Sequence, residues 1–125
     1  MNYNEWAFHD VGPIYLQLIK KIEYAILSQK LSSEEELPSV REMAKLVHIS
    51  SNTKMKAYMS LRKKGLIISS QNGHCSVIAD EQYILQKRNE KVRKLCCSYL
   101  SNMIELGFSK KDATDFLVNI RQNIN

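Results

Sequence analysis

Nowhere does this chain string together the roughly 18 apolar residues that a membrane span needs, and its opening residues, MNYNEWAFHD, lack a basic region followed by a hydrophobic run. The expectation is a soluble, cytoplasmic protein with no membrane partner. Cysteine is scarce: Cys75, Cys96 and Cys97 make an odd number with two adjacent, a poor disulfide framework that points to a reducing compartment. Also missing are a glycine-rich phosphate loop, a metal-spaced cluster of ligands and a nucleophile with an evident base. His9, His48 and His74 are isolated in the sequence. Neither enzymatic chemistry nor a metal or cofactor is expected.

What is present is enough for one modest core with a short helical extension, given 125 residues of which 44% are hydrophobic. The net charge of +5 is unevenly spread. Residues 1–36 carry net −3, residues 37–76 carry net +6 through Arg41, Lys45, Lys54, Lys56, Arg62, Lys63 and Lys64 against Glu42, and the remainder carries +2. A polyanion would be drawn to the middle segment.

Apolar residues at Ile14, Leu18, Ile22, Ile26 and Leu27, following Pro13, predict a first helix ending near Ser28. Pro38 discourages helix at its predecessor, and Ser39-x-x-Glu42 is a capping box, so a second helix is expected from Val40. Its apolar face is Val40, Met43, Ala44 and Val47, and Ser50, Ser51 and Asn52 offer the next N-cap almost at once. A third helix follows with Ala57, Tyr58 and Leu61 inward, running to Lys64 with Gly65 as its stop. Leu66–Ile68 and Cys75–Ile78 flank an Asn72-Gly73 turn signal, which predicts a β-hairpin.

From Asp80 to Leu106 the pattern is helical again, and Ser109-x-x-Asp112 caps a last helix with Ala113, Phe116, Leu117, Ile120 and Ile124 on one stripe. The fold class is therefore mainly α. A winged helix-turn-helix of three helices plus a hairpin wing is expected over residues 1–78, and a two-helix domain over 79–125. The latter offers more apolar surface than two helices bury against each other, so either it packs onto the first domain or it self-associates. For a homodimer the candidates are Leu95, Tyr99, Met103, Phe116, Leu117 and Ile120. Cys96 and Cys97 are expected to be buried or half-buried in their helix as small hydrophobes. The alternative, a redox- or metal-responsive regulator, would use them or His74-Cys75.

Pro13-Ile14-Tyr15-Leu16-Gln17-Leu18, Leu37-Pro38-Ser39-Val40-Arg41-Glu42-Met43-Ala44, Asn52-Thr53, Ala57-Tyr58, Leu61, Gly65-Leu66-Ile67 and Leu106-Gly107-Phe108-Ser109 together resemble the GntR-type bacterial regulators, in particular their small YtrA-like branch. The resemblance runs over residues 12–121. It implies a winged-helix DNA-binding domain with a short helical dimerisation domain, a homodimer on a palindromic operator in double-stranded DNA, and repression of transcription. An effector stays unassigned, because a two-helix hairpin encloses little of the several hundred cubic ångströms a small molecule occupies.

In that architecture the third helix lies in the major groove with its leading turn on base edges. Ser51, Asn52 and Thr53 fill that turn, and Asn is suited to a bidentate pair with adenine; the plainer role for these residues is N-capping. Arg41 sits where the helix dipole disfavours a cation. By family analogy it contacts DNA, and its other reading is a pair with Glu42 or a nearby acid. Ser39 and Lys56 are the phosphate candidates, while Arg62, Lys63 and Lys64 add charge. The wing has Ser70 and Gln71 where the family commonly has basic residues, and Asn72-Gly73-His74 at its tip. Gly73 and His74 are the wing candidates, His74 either as a pH-dependent charge or as a neutral exposed side chain. Lys54 stands where the family places an aliphatic residue. Its ammonium is expected to snorkel to water, and Lys54→Val to stabilise the fold. A winged helix that binds protein or RNA without specific DNA recognition is the competing class.

Overall fold

The computed structural model describes residues 1–8, 12–70 and 74–121. By contacts the chain divides into two compact units, residues 1–86 and 87–125.

The first unit opens with a short 3-10 turn (Tyr3–Glu5), followed by α1 (Ile14–Leu27), β1 (Glu36–Leu37), α2 (Val40–Leu46), α3 (Ser51–Lys63), β2 (Ile67–Ser69) and β3 (Cys75–Val77). Helix starts follow the capping residues. Ser39 Oγ accepts from the Glu42 amide at 3.1 Å, and Ser50 Oγ accepts from the Thr53 amide at 3.3 Å, each satisfying an amide that has no partner inside its helix. α3 stops one residue earlier than expected, with Lys64 as its C-cap. Gly65 follows at φ +75°, and the Leu66 amide reaches back to the Leu61 carbonyl at 3.1 Å. A Cβ on Gly65 would sit 2.9 Å from the phenol oxygen of Tyr83, which itself donates to the Lys64 carbonyl.

The sheet has three strands in the order β1-β3-β2, both pairs antiparallel. The expected hairpin is β2 with β3, framed by the Ser70 amide on the His74 carbonyl at 2.7 Å; its Asn72-Gly73 turn lies outside the described residues. β1 was not expected. Only two residues long, it forms because β3 offers a free edge, pairing Glu36 with Ser76 and Leu37 with Cys75.

Leu18, Ile22 and Ile26 of α1 meet Met43, Ala57, Tyr58 and Leu61 from α2 and α3, with Leu37, Ile67 and Val77 closing the core from the sheet. Ile84, in α4 (Glu81–Glu105), is buried in this same cluster, which carries the first unit past the expected break between 78 and 79.

Lys54 departs from the snorkelling expectation. It has no solvent exposure, and its ammonium donates to the Ile49 carbonyl within the turn between α2 and α3. Burial pushes its pKa below the ordinary 10.5, since a carbonyl does not replace the water an ammonium loses. Between the folded value and 10.5 the unfolded chain holds a proton that the folded chain has released, so stability from this position rises with pH there and the penalty is full at neutral pH. Lys54→Met keeps the length and removes the charge. It is expected to raise the melting temperature by about 3–6 °C at pH 7, with the gain shrinking towards pH 10. Thermal unfolding of both proteins at the two pH values checks this; a variant melting lower at pH 7 would mean that the Ile49 hydrogen bond outweighs the buried charge.

In the second unit the rest of α4 meets α5 (Lys110–Arg121). Gly107 at φ +95° ends α4, and Ser109 and Asp112 cap α5 reciprocally, side chain to amide, at 3.1 and 3.3 Å. Tyr99 donates to the Ala113 carbonyl at 2.7 Å, and Ala113 is buried. Contrary to expectation, Cys96 and Cys97 are exposed: the small Ala113 side chain brings the helices together over a narrow strip, which leaves most of α4's surface open.

Candidate nucleic-acid interface

The arrangement of α2 and α3 is held by Tyr58, whose buried phenol donates to the Pro38 carbonyl. Burial first, and then the neighbouring Tyr3, Cys75 and Glu42, push its pKa well above the ordinary tyrosine value, so the donor stays protonated. This clamp joins the middle of α3 to the residue before the Ser39 cap. Tyr58 read from sequence as core alone; the bond to a backbone carbonyl 20 residues away has no local signal.

With the buried face of α3 formed by Lys54, Ala57, Tyr58 and Leu61, its outward face consists of Asn52, Met55, Lys56, Met59 and Lys63, all exposed. Ser51 and Asn52 lie in the leading turn with exposed side chains, and among the described residues neither side chain has a hydrogen-bond partner. Thr53 behaves differently: it is half-buried, and its hydroxyl shares a 2.7 Å hydrogen bond with Ser50. Capping thus occupies Ser50 and Thr53 and leaves Ser51 and Asn52 available. Arg41 is exposed in the first turn of α2, and the pairing with Glu42 or a nearby acid is not seen among the described residues.

The other cations sort by partner. Lys56 stands 5.6 Å over the Tyr15 ring, a cation–π contact that leaves it at the surface. Arg62 turns towards the sheet, donating to Ser69 Oγ at 2.9 Å and meeting Cys75 Sγ at 3.6 Å. Lys64 pairs with the buried Glu23 carboxylate of α1 at 2.6 Å. Of the three basic residues closing α3, Lys63 alone belongs to its outward face. His74 is exposed, and its Nδ1 lies 2.7 Å from Glu36 Oε1, a partner that exists because β1 pairs with β3. Gly73 lies outside the described residues.

These features, two short helices in a tight turn followed by a small sheet, with an open polar tip on the second helix, have a counterpart among known families. The family of bacterial regulatory proteins called gntR matches residues 14–77. This chain belongs to the GntR family. The GntR-family chain is 31% identical over 106 residues to the uncharacterized HTH-type transcriptional regulator YhcF of Bacillus subtilis (strain 168), covering 84% of this chain and 87% of YhcF. It is 38% identical over 55 residues to the HTH-type transcriptional repressor YtrA of the same organism, 44% of this chain and 42% of YtrA. The family and these relatives are transcription regulators, not enzymes.

Among solved structures, a GntR family transcriptional regulator from Listeria monocytogenes shares the fold with a TM-score of 0.82 at 24% identity, over 94% of this chain and all of that one. The AraR DNA-binding domain, solved in complex with operator ORX1, superposes with a TM-score of 0.51 at 25% identity over 58% of this chain and 92% of its own. Among the described residues no helix of the GntR-family chain is long and apolar enough to cross a membrane.

Proposed function

We propose that this chain is a cytoplasmic, sequence-specific DNA-binding regulator that acts as a homodimer on a palindromic operator and represses transcription. The observation that carries the reading is the leading turn of α3, where Ser51 and Asn52 are exposed, while Arg41 stands exposed in the first turn of α2. A polar helix tip with unspent donors and acceptors is what major-groove base edges require. The AraR DNA-binding domain, similar to 58% of this chain, is crystallised with its operator. In this reading the first unit, residues 1–86, binds DNA and the second, residues 87–125, dimerises through Leu95, Tyr99, Met103, Phe116, Leu117 and Ile120. Asn52 reads a base, Ser51 and Thr53 support it, and Ser39, Arg41 and Lys56 hold phosphates. Gly73 and His74 place the wing, with His74 exchanging Glu36 for DNA. No effector is assigned.

Selection of bound sequences from a random DNA pool tests the proposal. The expected product is a palindrome with half-sites about one helical turn (~34 Å) or a multiple apart. If a dimer neutralises about 8 phosphates, log affinity falls against log salt with a slope of about −7. A pool that returns no enriched sequence, with a slope near zero, would favour the protein- or RNA-binding class instead.

A further inference from the structure

Two of the chain's five methionines sit on the outward face of α3, Met55 at 49% and Met59 at 47% exposure. Scattered exposed hydrophobes are ordinary, but these are placed one helical turn apart, and Met55 is one turn beyond Asn52. Around them stand Lys56 and Lys63, both exposed. That surrounding charge decides between occupants. An apolar protein groove laid on the methionines would strip water from the ammoniums without replacing it, whereas a duplex offers phosphates to the lysines and an apolar group to the methionines. In the major groove that group is the C5-methyl of thymine.

We propose that Met55 and Met59 read thymine methyl groups in the major groove, on base pairs adjoining the one addressed by Asn52. The inference rests on the DNA-binding reading above. The spacing suits it. Three residues advance a helix by about 4.5 Å, a little more than the ~3.4 Å between base steps, so Met55 falls one to two steps from Asn52. Met59, a further turn along, falls about three steps from it. The thioether is unbranched and polarisable, and adapts to a methyl on either strand.

The test uses the full chain and the operator recovered from the random pool, rebuilt with deoxyuridine at each thymine in turn. Uracil keeps the base pair and backbone and removes only the methyl. Affinity is expected to fall about fourfold for each half-site methyl in contact with Met55, and less at the position facing Met59. Met55→Ala is expected to bind the thymine and uracil operators equally, about tenfold more weakly than the parent binds thymine, while Met55→Leu keeps most of the difference. Uracil operators bound as tightly as thymine operators would overturn the assignment, as would a Met55→Ala protein that still distinguishes them. Either result leaves the regulator reading standing. A pool with no enriched sequence would remove both.

Discussion

Asn52→Ala is expected to lower affinity for the selected operator on the order of a hundredfold, while the protein unfolds no earlier than the parent. A bidentate asparagine–adenine pair is worth about 1–3 kcal/mol of discrimination, or about fivefold to 150-fold per half-site, and the proposed palindrome contains the contact twice. Stability is spared because the cap belongs to Ser50, whose hydroxyl accepts from the Thr53 amide at 3.3 Å, and because alanine is the better helix former at an exposed position. The specific complex should weaken while nonspecific binding holds, so titration against the operator and a scrambled duplex separates the two. Arg41→Ala gives the contrasting pattern: weaker binding to every sequence and a salt slope shallower by about one per lost phosphate contact. Unchanged operator affinity in Asn52→Ala would remove the α3 tip from the interface.

Elements set by neighbouring residues were legible in the sequence. Ser39 and Glu42, Ser50 and Thr53, and Ser109 and Asp112 lie three residues apart, so the caps that start α2, α3 and α5 are written locally. Gly65 and Gly107 adopt the positive φ that ends α3 and α4. What escaped depends on partners distant in sequence. β1 has two residues and no periodicity of its own; it exists only as the edge partner of β3. Its formation brings Glu36 to His74.

The candidate site was legible to the same extent. The placement of Ser51 and Asn52 followed from the cap. The division of the cations did not, because Glu23 captures Lys64 across 41 residues and Ser69 captures Arg62 from the sheet. Lys54 was misread because its acceptor is a main-chain carbonyl, which residue types do not reveal. Met55 and Met59 carried a signal that was available: with Ala57, Tyr58 and Leu61 set inward, helical spacing alone places both on the opposite face.

For the proposed homodimer, Leu117→Lys is expected to give a monomer and to reduce operator affinity on the order of a hundredfold or more, since two linked reading heads gain that much from effective concentration. In the second unit α4 and α5 meet at Ala113 and Tyr99, while Leu95 (53% exposed), Phe116 (40%), Leu117 (52%) and Ile120 (45%) remain open. Burying a leucine contributes about 1.5–3 kcal/mol, and a two-fold interface counts each residue twice. A lysine there loses that contribution and sets two ammoniums into an apolar contact. The folded monomer should survive, because Leu117 is not among its buried residues. Val118 is a control on the same helix: it is 58% exposed but lies about 140° around α5 from Ala113, away from the stripe of Phe116, Leu117 and Ile120. Val118→Lys is expected to leave both dimer and affinity intact. Sedimentation of the two variants, with operator titrations alongside, discriminates between the faces. If Leu117→Lys stays dimeric, or if its monomer binds the palindrome as tightly as the parent, the α5 stripe is not what joins two copies on DNA.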